Sequence, residues 1–189
     1  IVCRETEMSV TEMDRDKTIE LIKDFRLFSD CHMLISTPNG SYTESKNSEF
    51  INWMVHGYHN KIMVVDDILK EDVKIIKVSL CHMNGIREIA ERLLLPKWGS
   101  SFKACMAGEQ WLDFMDESVD KGQAIKTIQD FFCINIEETM VFGDNSNDIG
   151  MFKRAKYNYA VENASKDAIE NADYIARSYK ENGVINILK

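Results

Sequence analysis

The pattern of apolar and polar positions changes once along the chain, near Asp120. Before this point, predicted strands and helices do not alternate regularly, which is typical of an α+β domain. Turn residues at Pro38-Asn39-Gly40 predict a hairpin, because Pro presets φ and Gly accepts positive φ. The elements predicted here are a strand at Ile1–Val10, a helix at Asp14–Phe28, a strand at His32–Thr37, a helix at Ser48–Tyr58, a strand at Val73–Leu80, a helix at Ile86–Leu95, and a hairpin of Phe102–Met106 with Gln110–Phe114.

After Asp120, short apolar strands alternate with helices, and this pattern predicts a parallel sheet with helices on its faces. The chain is therefore predicted to be an α/β protein with two domains, residues 1–115 and residues 116–189. The predicted elements are a helix at Gly122–Phe132, a strand at Met140–Phe142, a helix through Met151–Arg154, a strand at Tyr157–Val161, a helix at Ser165–Asn171, a strand at Tyr174–Ala176 and a helix from Asn182.

The loop Gly143-Asp144-Asn145-Ser146-Asn147-Asp148 follows an apolar strand and opens a helix. We therefore expect it at the carboxyl end of a parallel sheet, where open α/β folds build their sites. Its two carboxylates and an amide supply hard oxygen ligands, which suit Mg²⁺. Gly143 is expected to let the backbone turn sharply as the strand ends.

The same residues are compatible with a helix cap and, less well, with a calcium-binding loop. Asp, Asn and Ser are also the residues that helix starts prefer, so the loop could be a helix cap and nothing more. A calcium-binding loop is disfavoured, because Ile149 stands where that loop needs Gly and Ala155 where it needs Glu. Lys121 lies at a helix start, where its ammonium could reach the acidic loop and neutralise phosphate charge; a lone lysine there is more often an ordinary surface residue.

Composition limits the partners. The net charge is −8, and acidic and basic residues are mixed along the chain, so no cationic surface for nucleic acid is evident. No apolar run approaches the roughly 20 residues that a membrane span needs, and no basic-then-apolar leader opens the sequence. We expect no nucleic acid partner, no membrane partner and a cytoplasmic location.

A series of short motifs stands in order after residue 119. They are Asp120-Lys121-Gly122-Gln123-Ala124, Phe142-Gly143-Asp144-Asn145-Ser146-Asn147-Asp148, Ala160-Val161-Glu162-Asn163-Ala164, Ala172-Asp173-Tyr174-Ile175 and Asn182-Gly183-Val184. The series resembles the haloacid dehalogenase (HAD) superfamily and, within it, the Cof-type sugar-phosphate phosphatases with a class IIB cap. The resemblance implies an α+β cap domain at residues 1–115 and part of a Rossmann-like hydrolase core at residues 116–189.

The same resemblance implies Mg²⁺-dependent hydrolysis of a small phosphorylated metabolite, such as a sugar phosphate, through an aspartyl-phosphate intermediate. Lys121 matches the catalytic lysine that stabilises the phosphate, and Asp144 matches a direct metal ligand. Asn147 and Asp148 match nearby groups that orient water, phosphate or Lys121. Asn147 thereby becomes a phosphate-binding candidate, and Asp148 a weak or indirect metal ligand. Asn163 matches a position at the rim of the substrate site, over which the cap would close.

One motif of that superfamily is missing. Members begin with Asp-x-Asp-Gly, whose first Asp attacks phosphorus, whereas Asp14-Arg15-Asp16 lies in a polar, helix-forming stretch with no Gly after it. We therefore expect a truncated chain that starts inside the cap, lacks the nucleophile, binds Mg²⁺ weakly or not at all and is inactive alone. An unpaired edge at Met140–Phe142 is expected to support a homodimer. The other hypothesis is a non-catalytic HAD-like binding or regulatory module.

Overall fold

A computed structural model describes residues 1–3 and 6–189, with residues 2, 3 and 6 described by their backbone alone. The chain divides into two compact units, Ile1–Ser118 and Val119–Lys189. Both combine a sheet with helices, so the predicted α/β class is confirmed. The division lies close to the predicted boundary after residue 115, and the roles of the two units as cap and core stay predictions. In the part of the chain that the structure describes, no helix has the length and apolar character to cross a membrane.

The first unit is built on a mixed sheet. Its strands are β1 Val2–Cys3, β2 Thr6–Glu7, β3 His32–Thr37, β4 Gly40–Thr43, β5 Ile62–Val64, β6 Lys77–Cys81, β7 Lys103–Ala107 and β8 Trp111–Met115. Six of them form one sheet in the order β5-β4-β3-β6-β8-β7. Its neighbours are antiparallel except for β4 and β5, which are parallel. β1 and β2 pair separately as an antiparallel ribbon.

Helices cover both faces of this sheet. They are α1 Arg15–Phe25, α2 Ser48–Asn52 with a π-helical turn Trp53–Gly57, a 3₁₀ turn Ile68–Lys70, and the run of α3 Arg87–Ile89, a π-helical turn Ala90–Leu94 and α4 Leu95–Trp98. The larger core packs α1 and the Arg87–Trp98 run against side chains such as Ile35. The smaller core packs Phe50 of α2 against Leu34, which points to the opposite face because strand side chains alternate.

Both hairpins predicted for this unit are present, whereas the first predicted strand is not. The hairpin at Pro38-Asn39-Gly40 is confirmed, since β3 and β4 are antiparallel and Gly40 has a φ of +142°. The second hairpin is confirmed as β7 and β8. The single strand predicted over Ile1–Val10 is wrong, because β1 and β2 pair with each other within it; Arg4 and Glu5 lie outside the described residues.

Other predicted elements exist with shifted ends. The first helix stops at Phe25 instead of Phe28, and the strand predicted from Val73 begins at Lys77. Asp14 is the N-cap of α1, where its side chain accepts a hydrogen bond from the backbone N–H of Lys17 at 2.9 Å. This position at a helix start agrees with its rejection as the first Asp of the missing motif.

The second unit is built on a three-stranded parallel sheet whose strands alternate with helices along the chain. Its strands are β9 Met140–Gly143, β10 Tyr157–Val161 and β11 Tyr174–Ala176; its helices are α5 Lys121–Phe132, α6 Ile149–Phe152, α7 Lys166–Asn171 and α8 Gly183–Leu188; its 3₁₀ turns are Ile136–Glu138, Ser146–Asp148 and Tyr179–Glu181. The strands are parallel in the order β11-β10-β9. The predicted alternation is confirmed, although α6 ends at Phe152 instead of Arg154.

The two faces of this small sheet differ. On one face, Val141 and Ala160 are buried with Phe152 of α6. On the other, the rings of Phe142, Tyr159 and Tyr174 stack in a row with centroids 5.1 Å apart. This unit also carries most of the exposed large apolar side chains: Phe131, Phe132, Ile134, Ile136, Met140, Tyr157, Ile169, Tyr174, Ile175, Tyr179, Ile185 and Leu188.

Candidate active site

The start of α5 fixes the position of Lys121. Asp120 is the N-cap residue, with extended backbone, and its side chain accepts a hydrogen bond from the backbone N–H of Gln123 at 2.9 Å. This bond satisfies one of the free N–H groups of the first helical turn. Lys121 is therefore the first helical residue, and its side chain is 49% exposed.

The loop after β9 folds around the side chain of Asp148, which is 2% exposed. Its Oδ2 atom accepts hydrogen bonds from the backbone N–H groups of Asp144 at 2.9 Å and Asn145 at 3.1 Å. Its Oδ1 atom accepts a hydrogen bond from the ammonium group of Lys121. One buried carboxylate thus joins the start of α5 to the end of β9.

The electrostatic balance at Asp148 favours the ionised form. Burial raises the pKa of this carboxyl group, because a charge is poorly solvated in the interior. The hydrogen bonds from Lys121 and from the amides of Asp144 and Asn145 outweigh burial, and the net pKa lies below the ordinary aspartate value. Lys121 therefore faces a negatively charged partner at neutral pH.

Gly143 is required here for space and not for a sharp turn. Among the described residues, the glycines with positive φ are Gly40, Gly85 and Gly108, so the predicted reason for Gly143 is wrong. A Cβ atom at Gly143 would lie 2.5 Å from the Cβ of Asp148 and 2.9 Å from the ring of Phe152. Its absence lets the Ser146–Asp148 turn pack directly on the strand end, which brings Asp148 within reach of the loop amides.

The other predicted site residues lie in this loop or in the loop that adjoins it. Asp144 and Asn147 are exposed, and among the described residues neither side chain has a hydrogen-bond partner. The carbonyl oxygen of Asp144 accepts a hydrogen bond from the backbone N–H of Ser165 at 2.8 Å. This bond joins the loop after β9 to the loop after β10, where Asn163 is exposed.

The structure therefore brings Lys121, Asp148 and the backbone of Asp144 into direct contact. Asn147 lies in the same turn as Asp148, and Asn163 lies in the adjoining loop without a direct contact to the pair. The predicted roles of these residues in binding metal, binding phosphate and lining the substrate rim stay predictions.

The donor set fits a magnesium ion only in part. No group of three His, Cys, Asp or Glu side chains in the described ranges is arranged to hold a metal. Both oxygens of Asp148 accept hydrogen bonds, which leaves Asp144 as the free carboxylate of the loop. Mg²⁺ is commonly held by one or two carboxylates together with water and substrate oxygens. Asp144 thus fits as one ligand of such a site.

The helix-cap interpretation of the loop also holds. Asp148 accepts the N–H of Asn145, and the Asn145 side chain accepts the N–H of Ser146 at 2.8 Å, which are bonds of a helix start. The bond from Lys121 is additional to these caps. Asp148 can therefore cap the helix start and pair with Lys121 at the same time.

Sequence reasoning did not single out Gly150. A Cβ atom added at Gly122 would lie 2.3 Å from the carbonyl oxygen of Gly150, so the starts of α5 and α6 touch through backbone atoms. The sequence does place a glycine near the start of a short predicted helix. Because glycine lowers helix propensity, its presence there indicates that another part of the chain packs closely against it.

Comparison with known proteins assigns the family. The sequence profile of the haloacid dehalogenase-like hydrolases matches residues 3–188. The chain belongs to this family. The resemblance drawn from the motifs after residue 119 is thereby confirmed.

Individual relatives agree with this assignment. The chain is similar to the Escherichia coli (strain K12) 5-amino-6-(5-phospho-D-ribitylamino)uracil phosphatase YbjI, with 22% identity over 177 residues, which cover 94% of this chain and 65% of the relative. A solved structure from Eubacterium rectale is 30% identical with a TM-score of 0.79, and the match covers 94% of this chain and 68% of that one. The chain spans less than two thirds of the length of the curated relatives it matches.

The class IIB resemblance is confirmed at the level of the fold. The structure of BT4131, described as a HAD subclass IIB sugar phosphatase, matches with a TM-score of 0.74 and 18% identity. The match covers 96% of this chain and 68% of that chain.

The buried position of Asp148 predicts a specific loss of stability. Replacing Asp148 by Asn should lower the free energy of unfolding by about 1–3 kcal/mol, because an amide cannot accept all three N–H groups and removes the charge that Lys121 faces. Chemical denaturation followed by circular dichroism measures this value. Asp130→Asn is the matched control: Asp130 pairs with Lys126 on the exposed face of α5, and its loss should cost less than about 0.5 kcal/mol. Equal costs for the two variants would contradict the role given to Asp148.

The lowered pKa of Asp148 predicts a pH dependence with a definite sign. The folded carboxyl has a lower pKa than the unfolded one, so its contribution to stability is complete above the unfolded value of about 3.9 and is lost as the pH falls through the folded pKa. The unfolding free energies of the wild-type chain and Asp148→Asn should therefore differ by a constant amount above about pH 5 and converge below about pH 4. A difference that grows as the pH falls would rule this out.

Proposed function

We propose that this chain supplies the lysine and the acidic loop of a magnesium-dependent phosphatase of small phosphorylated metabolites such as sugar phosphates. The observation that carries the proposal is the Lys121–Asp148 pair, held at the carboxyl end of a parallel sheet in a member of a hydrolase family. Open α/β folds bind ligands at this end of the sheet.

Lys121 is suited to stabilise a phosphate group. Its ammonium has three N–H donors, and the bond to Asp148 uses one of them. Because the side chain is 49% exposed, the remaining donors are open to phosphate oxygens. A lysine that is already oriented by a buried carboxylate needs little reorganisation as negative charge develops on a transferring phosphoryl group.

Asp144 is suited to hold the metal, because it is the loop carboxylate that Lys121 and the backbone amides leave free. Magnesium bound there would shield the negative charge of the phosphate. Asn147 presents an exposed amide in the same turn, where it can donate to a phosphate oxygen. Asn163 lies in the adjoining loop and suits a contact to the remainder of the substrate.

The nucleophile is the group that this sequence does not offer. An aspartate oxygen would attack phosphorus and release the substrate alcohol, and water would then cleave the acyl phosphate. These 189 residues contain no Asp-x-Asp-Gly segment. We therefore expect their turnover of phosphate monoesters to be near background, while Lys121 still binds phosphate and Mg²⁺ is held weakly or not at all.

The substrate class rests on similarity. The Escherichia coli relative is named for 5-amino-6-(5-phospho-D-ribitylamino)uracil, a small molecule with one phosphate monoester. The first unit, as a cap, would select among such molecules. The alternative, a non-catalytic binding or regulatory module, would share the proposed phosphate site.

Phosphate binding tests the proposal directly. Titration of the chain with inorganic phosphate and Mg²⁺ should shift the NMR signals of the Asp144–Asp148 loop. Lys121→Met should weaken the affinity for phosphate roughly tenfold, because it removes a charge-assisted hydrogen bond. Lys126→Met is the control, because Lys126 lies on the same helix and pairs with Asp130. Equal affinities of the two variants would end the proposal.

A steady-state assay on an aryl phosphate is a second test. Rapid Mg²⁺-dependent turnover by these residues alone would contradict the expectation that they lack a nucleophile.

A homodimer through β9 is a further part of the proposal. Within the described residues β9 pairs with β10 alone, and its residues Met140 to Gly143 include neither a charge nor a proline, the features that usually protect an edge strand. Met140 is 39% exposed at its start. Light scattering should give the mass of two chains, and Met140→Lys should give the mass of one. A single-chain mass for the wild type at all concentrations would exclude the dimer.

A further inference from the structure

The starts of α5 and α6 approach each other more closely than any side chain permits. A Cβ atom on Gly122 would lie 2.3 Å from the carbonyl oxygen and 2.5 Å from the carbonyl carbon of Gly150. A Cβ atom on Gly150 would lie 2.9 Å from Oδ1 of Asp120 and 3.3 Å from the backbone nitrogen of Gly122. Both positions therefore exclude even a methyl group unless neighbouring atoms move.

This contact lies beside the charged pair of the site. Lys121 directly precedes Gly122, and Asp148 stands two positions before Gly150. The backbone contact between the glycines consequently fixes the distance between the two chain segments that carry the ammonium and the carboxylate. Asp120 belongs to the same arrangement, because the oxygen that caps α5 also lies against Gly150.

We propose that Gly122 and Gly150 are positioning residues, which set Lys121 against Asp148 by allowing α5 and α6 to meet through their backbones. The inference rests on the proposed function for its significance, because the pair it positions is the proposed phosphate-stabilising group. Its geometric basis is independent of any reaction.

The size of the effect follows from contact distances. An alanine at position 122 must move about 1 Å further from Gly150 to reach ordinary carbon contact. Donor–acceptor distances in N–H···O hydrogen bonds span about 2.7–3.2 Å, so a displacement of this size moves the ammonium out of hydrogen-bond range of Oδ1 of Asp148. An alanine at position 150 meets first the end of the Asp120 side chain, which can rotate, and its effect should be smaller.

Amine reactivity measures the pairing of Lys121 without any need for catalysis. Limiting acetylation followed by peptide mass spectrometry gives the labelling rate of Lys121 relative to Lys126, which pairs with Asp130 on the same helix. In Gly122→Ala the ratio should rise roughly two- to fivefold, the range expected for loss of a half-exposed ion pair. In Gly150→Ala it should rise less. Gln123→Ala, an exposed change in the same turn, should leave it unchanged.

The outcomes separate positioning from simple packing. If the glycines serve only to pack the helices, both alanine variants lose stability while the Lys121 to Lys126 ratio stays at the wild-type value, and the proposal is overturned. Should Gly122→Ala fail to fold by circular dichroism, the ratio in Gly150→Ala decides alone. Failure of phosphate binding in the earlier titration would remove the proposed function and leave this labelling result intact, so the two can fail separately.

Discussion

The buried carboxylate of Asp148 is the constraint on which the site depends. A charge that is almost wholly removed from water must be neutralised or hydrogen-bonded, and here three N–H groups meet that demand. Two of them come from the loop backbone and one from Lys121. The need to satisfy this single group therefore fixes the loop conformation and the direction of the lysine together. A carboxylate at the surface would have imposed neither, because water could replace any partner.

Small residues make this arrangement possible. Gly143 leaves room for Asp148 and Phe152 at the end of β9, while Gly122 and Gly150 leave room for the starts of α5 and α6. Their shared contribution is the absence of a Cβ atom and not an unusual backbone angle. The parallel sheet supplies the remaining order, because the ends of β9 and β10 lie at the same edge and their loops are joined by a backbone hydrogen bond.

Local signals were sufficient for much of the fold. The strand Tyr157–Val161 and the hairpin at Pro38-Asn39-Gly40 were predicted correctly, since their apolar pattern and turn chemistry are short-range properties. The strand over Ile1–Val10 was wrong because strand pairing within that stretch cannot be read from apolar content. The start predicted at Val73 was early for a similar reason, as β6 begins at Lys77 where pairing with β3 starts.

The proximity of Lys121 to the acidic loop was predictable, but the packing that brings them together was not. Lys121 and Asp148 are 27 positions apart, and their association was anticipated through motif resemblance. The space-filling reason for Gly143 and the contact at Gly150 depend on packing between elements, which no local pattern encodes.

The different surroundings of the two loop aspartates, Asp144 and Asp148, are likewise visible only in the structure. A lysine near two carboxylates could pair with either, and pairing with Asp144 would occupy the exposed carboxylate. Because the buried Asp148 is the partner, Asp144 keeps its charge available to a cation. The buried aspartate thus satisfies Lys121 and the loop amides, while the exposed one keeps its carboxylate unpaired among the described residues.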